Sequence, residues 1–187
     1  MRIACVVGCL LVTCSVVIAQ PPKGKIVSSP VLGSDLPGKE FKLEVIPADG
    51  KLIGLQVNVG KWQQFENVVR GVKFVHQDAA GKQRASQVGP CDGDWQKAVE
   101  IPAGVLVVGV SGSYGLVMDS LQFHFSDGTK TPRFGGKAGD LDFQFAVKEQ
   151  AEKGGKYPFV VRGFHGKASD DAFIGIGLIL EGTGIKK

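Results

Sequence analysis

The chain repeats one pattern three times, and this internal repetition restricts its fold more than any other feature. FKLEVIPADGKLIGLQVNVG, from Phe41, and WQKAVEIPAGVLVVGVSGSYG, from Trp95, share one order: an aromatic residue, Val, Ile-Pro-Ala, Gly, an apolar run, Gly, a second run and Gly. A looser third copy, FQFAVKEQAEKGGKYPFVVRGFHG from Phe143, keeps the aromatic residue, Val147, Gly155, Gly163 and Gly166, with a few extra residues before Gly155. The leading aromatics stand about 50 residues apart, enough chain for four short strands. Apolar residues alternate, as at Leu121, Phe123 and Phe125, instead of following a helical period. Asp49-Gly50, Asp127-Gly128 and Gly81 mark reversals between strands. The expectation is an all-β fold of three antiparallel units around one axis.

Each copy is preceded by a glycine-containing loop: LGSDLPGKEF, VGPCDGDWQK and RFGGKAGDLDF. Glycine there permits positive φ and a close approach of the backbone to another group. The one stretch with helical flavour, Ala146 to Lys153, is too short to be stable alone and reads as a surface excursion of the third unit.

The N-terminus is organised differently. Met1-Arg2 precedes an apolar run from Ile3 to Ile18, and Val17-Ile18-Ala19 before Gln20 offers the small residues of a cleavage site. Residues 1–19 read as a secretion signal, residues 20–30 as a flexible lead-in rich in Pro, Ser and Lys, residues 31–183 as one domain and residues 184–187 as a tail. The expected location is secreted, periplasmic or extracellular. A lipidated Cys14 fits less well, because Thr13 is bulkier than the residue usual before such a cysteine. A retained anchor would sit at the lower edge of a spanning length.

Cys5, Cys9 and Cys14 lie in the leader, so Cys91 alone remains and no internal disulfide is expected. The domain must then be held by its core, for which 43% hydrophobic residues suffice. Without Arg2, 21 basic residues face 18 acidic ones, scattered along the chain. That balance, with no like-charged block, argues against nucleic acid and membrane surfaces as partners.

The three glycine-led repeats, with GVSGSYGLVMDSLQF, SDGTKTPRFGGKAG and RGFHGKAS in that order, resemble the jacalin-related lectins over roughly residues 31–183. The resemblance implies a β-prism of three four-stranded Greek-key sheets with pseudo-threefold symmetry, and carbohydrate binding without catalysis or cofactor. In that family the sugar sits between a Gly-x-x-x-Asp loop and a Gly-Gly loop of the next repeat. Here the resemblance places the first at Gly115-Leu116-Val117-Met118-Asp119 and the second at Gly135-Gly136. An ionised Asp119 would accept a pair of sugar hydroxyls through charge-assisted bonds, and the amides around Val117, Met118 and Gly136 would donate to other sugar oxygens. One such site holds a monosaccharide with a Kd on the order of millimolar. Avidity then calls for a homo-oligomer or display on a larger complex.

The pattern is incomplete elsewhere. The acid of the last repeat aligns with Ile174, leaving Asp170 and Asp171 displaced, and the first repeat places its equivalent near Arg70. No processed N-terminal glycine is indicated, so mannose- or glucose-type ligands are expected over galactose. The competing expectation is a β-prism scaffold or protein-interaction module without sugar recognition.

Other constellations read as structural. GVSGSYG, Gly109 to Gly115, precedes an alternating run instead of a helix, and GGKAG lacks a phosphate-loop ending. His76, His124 and His165 occur singly, and Asp92-Gly93-Asp94 and Asp140-Leu141-Asp142 lack further calcium ligands. Cys91 has no activating His beside it in sequence, and Tyr114 and Trp95 read as core or rim aromatics. No catalytic acid/base pair is visible.

Overall fold

The computed structural model describes residues 23–43, 46, 50–137, 139–147 and 157–183. Among these residues the regular structure is entirely β, in three antiparallel sheets. Sheet I contains β4 (Lys51–Trp62), β5 (Phe65–Gln77), β6 (Gln83–Val88), β7 (Asp94–Trp95) and β8 (Val99–Glu100). Sheet II contains β9 (Val107–Tyr114), β10 (Met118–Phe125), β11 (Phe134–Gly135) and β12 (Leu141–Ala146). Sheet III joins the two ends of the chain: β1 (Ile26–Ser28), β2 (Leu32–Gly33) and β3 (Lys39–Lys42) pair with β13 (Phe159–Ala168) or β14 (Phe173–Gly182).

Sheet I runs β6-β5-β4-β7 and sheet II β11-β10-β9-β12, the fourth strand returning beside the first as in a Greek key. The sequence repeat and the sheet are therefore offset by a strand. Phe41 of β3 opens the first repeat yet pairs in sheet III, Trp95 of β7 opens the second yet pairs in sheet I, and Phe143 of β12 opens the third yet pairs in sheet II.

Alternation sends one face of each long hairpin inward. Phe74, Phe123 and Phe164, one from each sheet, meet in the core: Phe74 stacks on Phe164 with ring centroids 3.8 Å apart, and Phe123 meets both edge-on. A smaller apolar cluster of Trp62, Val68, Val117, Ala172 and Ile174, with Leu36 and Phe65 against it, draws on all three hairpins near their turns.

Two expectations are adjusted. Residues 26–28, read as part of a flexible lead-in, pair with Ile179–Glu181 of β14, because Ile26-Val27 is a β-forming pair that the Pro and Ser residues around it obscure. Sheets I and III have five strands each instead of four, since short strands share one edge. The leader, the C-terminal tail and residues 148–153 of the helix-flavoured stretch lie outside the described residues.

Candidate functional site

The hairpin β9–β10 turns through Gly115, Leu116 and Val117, and its register shifts between Met118, opposite Tyr114, and Ser120, opposite Ser113. Asp119 is the extra residue of a β-bulge, a device that re-aims a side chain. Its flanks are fixed. Met118 is fully buried in the core, and the Ser120 hydroxyl bonds the Ser113 amide (3.0 Å) and hydroxyl (2.8 Å).

The other hairpins carry the same irregularity. In β4–β5 the unpaired residue between Val69 and Gly71 is Arg70, and in β13–β14 the one between Phe173 and Gly175 is Ile174. Arg70, Asp119 and Ile174 are thus one position seen three times. A positive-φ glycine packs on the carbonyl of each: Gly89 on Arg70, Gly135 on Asp119 and Gly33 on Ile174. At Gly135, with φ of 89°, any Cβ would collide with the Asp119 carbonyl oxygen, so this position requires glycine twice over. The amide just beyond bonds the same carbonyl, from Gly136 to Asp119 (3.0 Å), from Ser34 to Ile174 (3.2 Å) and from Cys91, past Pro90, to Arg70 (3.2 Å).

Gly135→Ala should therefore cost about 2 kcal/mol of stability, from left-handed strain plus overlap. Gly136→Ala, whose Cβ would sit 3.4 Å from the Asn67 carbonyl, should cost far less. Thermal unfolding of the two variants tests the contrast.

The Asp119 side chain lies beside two glycines. Its Oδ2 lies 3.6 Å from where a Cβ on Gly115 would be and 2.6 Å from one on Gly139, so a side chain at 139 could not be accommodated. Asp119 is 4% exposed, and Oδ2 is buried without a hydrogen-bond partner among the described residues. Burial raises its pKa above the ordinary carboxylate value, the Gly115 amide pulls the other way, and the charge of Asp140 raises it again. A buried acceptor beside glycine backbone, with a lone pair unused among the described residues, is what a donor hydroxyl would satisfy.

Of the six expected site residues, the structure brings Gly115, Asp119, Gly135 and Gly136 together. Val117 and Met118 contribute otherwise: Val117 is buried in the apolar cluster between hairpins, and its carbonyl receives the Gly115 amide (3.1 Å). The Gly136 amide, expected to face a sugar, donates to the carbonyls of Asn67 (2.6 Å) and Asp119 (3.0 Å). Gly139 and Asn67 were not singled out from sequence. The shared Gly-x-x-x-Gly spacing of Gly89 to Gly93 and Gly135 to Gly139 was the available signal for the first.

At the first-repeat position, Arg70 is buried and holds Asp92 through two bonds of 2.8 and 2.9 Å, and its Nη1 reaches the Asp171 carbonyl. At the third, Ile174 is buried, with Gly38 against its Cδ1. Neither offers an acceptor, so the acid occurs at one of the three equivalent positions.

The Jacalin-like lectin domain family matches residues 38–179, a span that contains Gly115–Asp119 and Gly135-Gly136. The chain belongs to the jacalin-like lectin domain family. Solved structures agree on the fold of this jacalin-like domain. Calystegia sepium agglutinin shares 19% identity at a TM-score of 0.62, covering 87% of this chain and 99% of its own. AcmJRL, a mannose-binding jacalin-related lectin from Ananas comosus, shares 17% at 0.63, covering 84% and 98%. Artocarpin, solved with Me-alpha-mannose, shares 13% at 0.62, covering 86% and 99%. No curated protein matches the sequence significantly.

The remaining sequence candidates have structural surroundings in the jacalin-like domain. His124 is buried against the Ser111 hydroxyl (2.7 Å), His165 meets the Ser29 carbonyl (2.9 Å), and His76 is buried in β5. Lys73 lies over the half-buried Trp95 ring at 6.0 Å, and Tyr114 packs near Phe143. The Cys91 thiol is pushed up by burial and then by the Asp92 charge, the opposite of an activated nucleophile. Among the described residues no cluster of three His, Cys, Asp or Glu side chains is disposed to hold a metal, and no helix is long and apolar enough to cross a membrane.

Proposed function

We propose that the protein is an exported, non-catalytic carbohydrate-binding protein, with a mannose- or glucose-type ligand held at the Gly115–Asp119 loop beside Gly135-Gly136. One observation carries this reading: a buried carboxylate oxygen without a hydrogen-bond partner among the described residues, beside the backbone of Gly115 and Gly139, at the position that the family resemblance gives to the acid of the binding loop. A sugar hydroxyl donating to Oδ2 would remove the desolvation penalty that the free protein bears there. With the Gly136 amide committed to Asn67 and Asp119, recognition in this reading rests on the carboxylate, and the hydroxyl reaches it by displacing the Gly139 backbone. The ligands named for the pineapple lectin and artocarpin support a mannose-type sugar over others.

The engaged Gly136 amide and the enclosure of Asp119 favour a second reading, a β-prism scaffold that binds protein instead of sugar. A glycan array at neutral pH separates the two. Signal on mannose- or glucose-terminated glycans supports the lectin, and silence across the array supports the scaffold. Because one millimolar site retains little on a surface, array binding further implies assembly or display. Sedimentation should show a dimer or larger, and a monomer that nonetheless holds glycans tightly would remove that expectation.

A further inference from the structure

The three seams between neighbouring hairpins at the turn end of the prism are not alike. In each, the carbonyl three residues before the bulge position is bonded by the adjacent unit. The Asn67 carbonyl accepts from the Gly136 amide and the Leu116 carbonyl from the Ser34 hydroxyl, each at 2.6 Å. Gly136 and Ser34 both follow a positive-φ glycine, and the residue in that place after Gly89 is Pro90, which has neither an N–H nor a side-chain donor. The third carbonyl, of Asp171, accepts from Arg70 instead. At the seam where Pro90 stands, a cavity of about 360 Å³ remains between the Gly89-Pro90 loop, β3 and the turn at Ala168–Asp170.

The lining of this cavity suits a pyranose. Phe41, Val88 and Pro90 offer apolar surface for a C–H face, and Lys39, Glu40 and Asp170 offer a donor and two acceptors for hydroxyls. Lys39 and Asp170 stand 3.6 Å apart with side chains 85% and 95% exposed, a pair that water screens, so both are available to a ligand. Two carboxylates against one ammonium disfavour an anionic sugar.

We infer that this seam is a second saccharide site, for a neutral sugar residue, built without the Gly-x-x-x-Asp acid and separate from Asp119. Its place rests on the cavity and on Pro90, and its ligand class rests on the carbohydrate-binding reading above. Two unlike sites on one chain would give bivalent contact with a branched glycan before any assembly.

The test is a titration of the 15N-labelled protein with methyl α-D-mannopyranoside and methyl α-D-glucopyranoside, followed by amide shifts up to about 50 mM, well above a millimolar Kd. Two groups of amides should move, one over residues 115–120 and one at 39–41, 89 and 168–170. The exposed pair Lys39→Ala/Asp170→Ala should abolish the second group and keep the first, and Asp119→Asn should do the reverse, while the spectra themselves report the fold. Shifts confined to 115–120 would overturn the seam site and leave the lectin reading intact. Shifts confined to the seam would overturn the Asp119 site and uphold this one. No shift with either sugar would overturn both.

Discussion

Asp119→Asn is expected to abolish sugar binding at the Gly115–Asp119 loop while leaving the fold intact. Replacing the carboxylate by an amide removes a charge-assisted acceptor, an interaction of about 1.5–3 kcal/mol, which corresponds to roughly 10- to 100-fold in affinity. Starting from a millimolar Kd, that loss takes this site below what an array or calorimeter registers, so the bound signal should fall. Stability should move the other way or not at all, since the substitution removes a buried charge whose Oδ2 has no hydrogen-bond partner among the described residues. Calorimetry with methyl α-D-mannopyranoside and a thermal melt of the same variant measure both. Undiminished binding would exclude Asp119 as the acceptor. The same carboxyl sets a pH dependence. Its folded pKa is raised, so between the unfolded and folded values the native state holds more protons, and stability falls as pH rises through that window. Sugar binding needs the ionised form. It should therefore fail on acidification at a pH above the ordinary carboxylate range.

Asp92→Ala should destabilise the protein more than removing its partner does. The Arg70 side chain is 5% exposed and Asp92 60%, so the pair is asymmetric. Deleting the exposed acid leaves a buried guanidinium with the Asp171 carbonyl as its remaining hydrogen-bond acceptor among the described residues, at a cost of about 3 kcal/mol. Arg70→Met keeps most of the volume and leaves Asp92 to water, so its cost should be nearer 1 kcal/mol, and the double variant should resemble it. Chemical denaturation of the three proteins decides the order. Equal losses from both single variants would mean that burial of the guanidinium is not the controlling term. The hydrogen bond from Arg70 holds the Asp92 pKa below its ordinary value, so the pair's contribution is present above the unfolded pKa and is lost as pH falls through the folded one.

Much of this architecture was readable from one line of residues, because alternation and glycine spacing are local signals. The lead-in loops around Gly33, Gly89 and Gly135 align in sequence and prove equivalent in space, each glycine lying on the carbonyl of a bulge residue. Sheet membership was not readable. A repeat is a unit of sequence, whereas strand pairing is decided by which edges meet, so Phe41, Trp95 and Phe143 each pair outside the sheet their repeat mainly builds. The site was half legible. Asp119 and Gly135-Gly136 do adjoin, but the direction of the Gly136 amide depends on Asn67 in another hairpin, which no spacing rule reaches. Arg70 looked like a missing acid, and Asp92 like a turn residue. Their pairing across 22 positions appears only once the lead-in loop folds back over β5.

Sheet III closes the molecule with strands from both extremes of the polypeptide. During synthesis, sheets I and II can assemble once residue 146 has emerged, but β1, β2 and β3 wait for partners encoded at 159–182. β1, β2 and β3, made before sheets I and II, are thus paired after them, and a chain stopped short of β13 would carry three unpaired strands into solution.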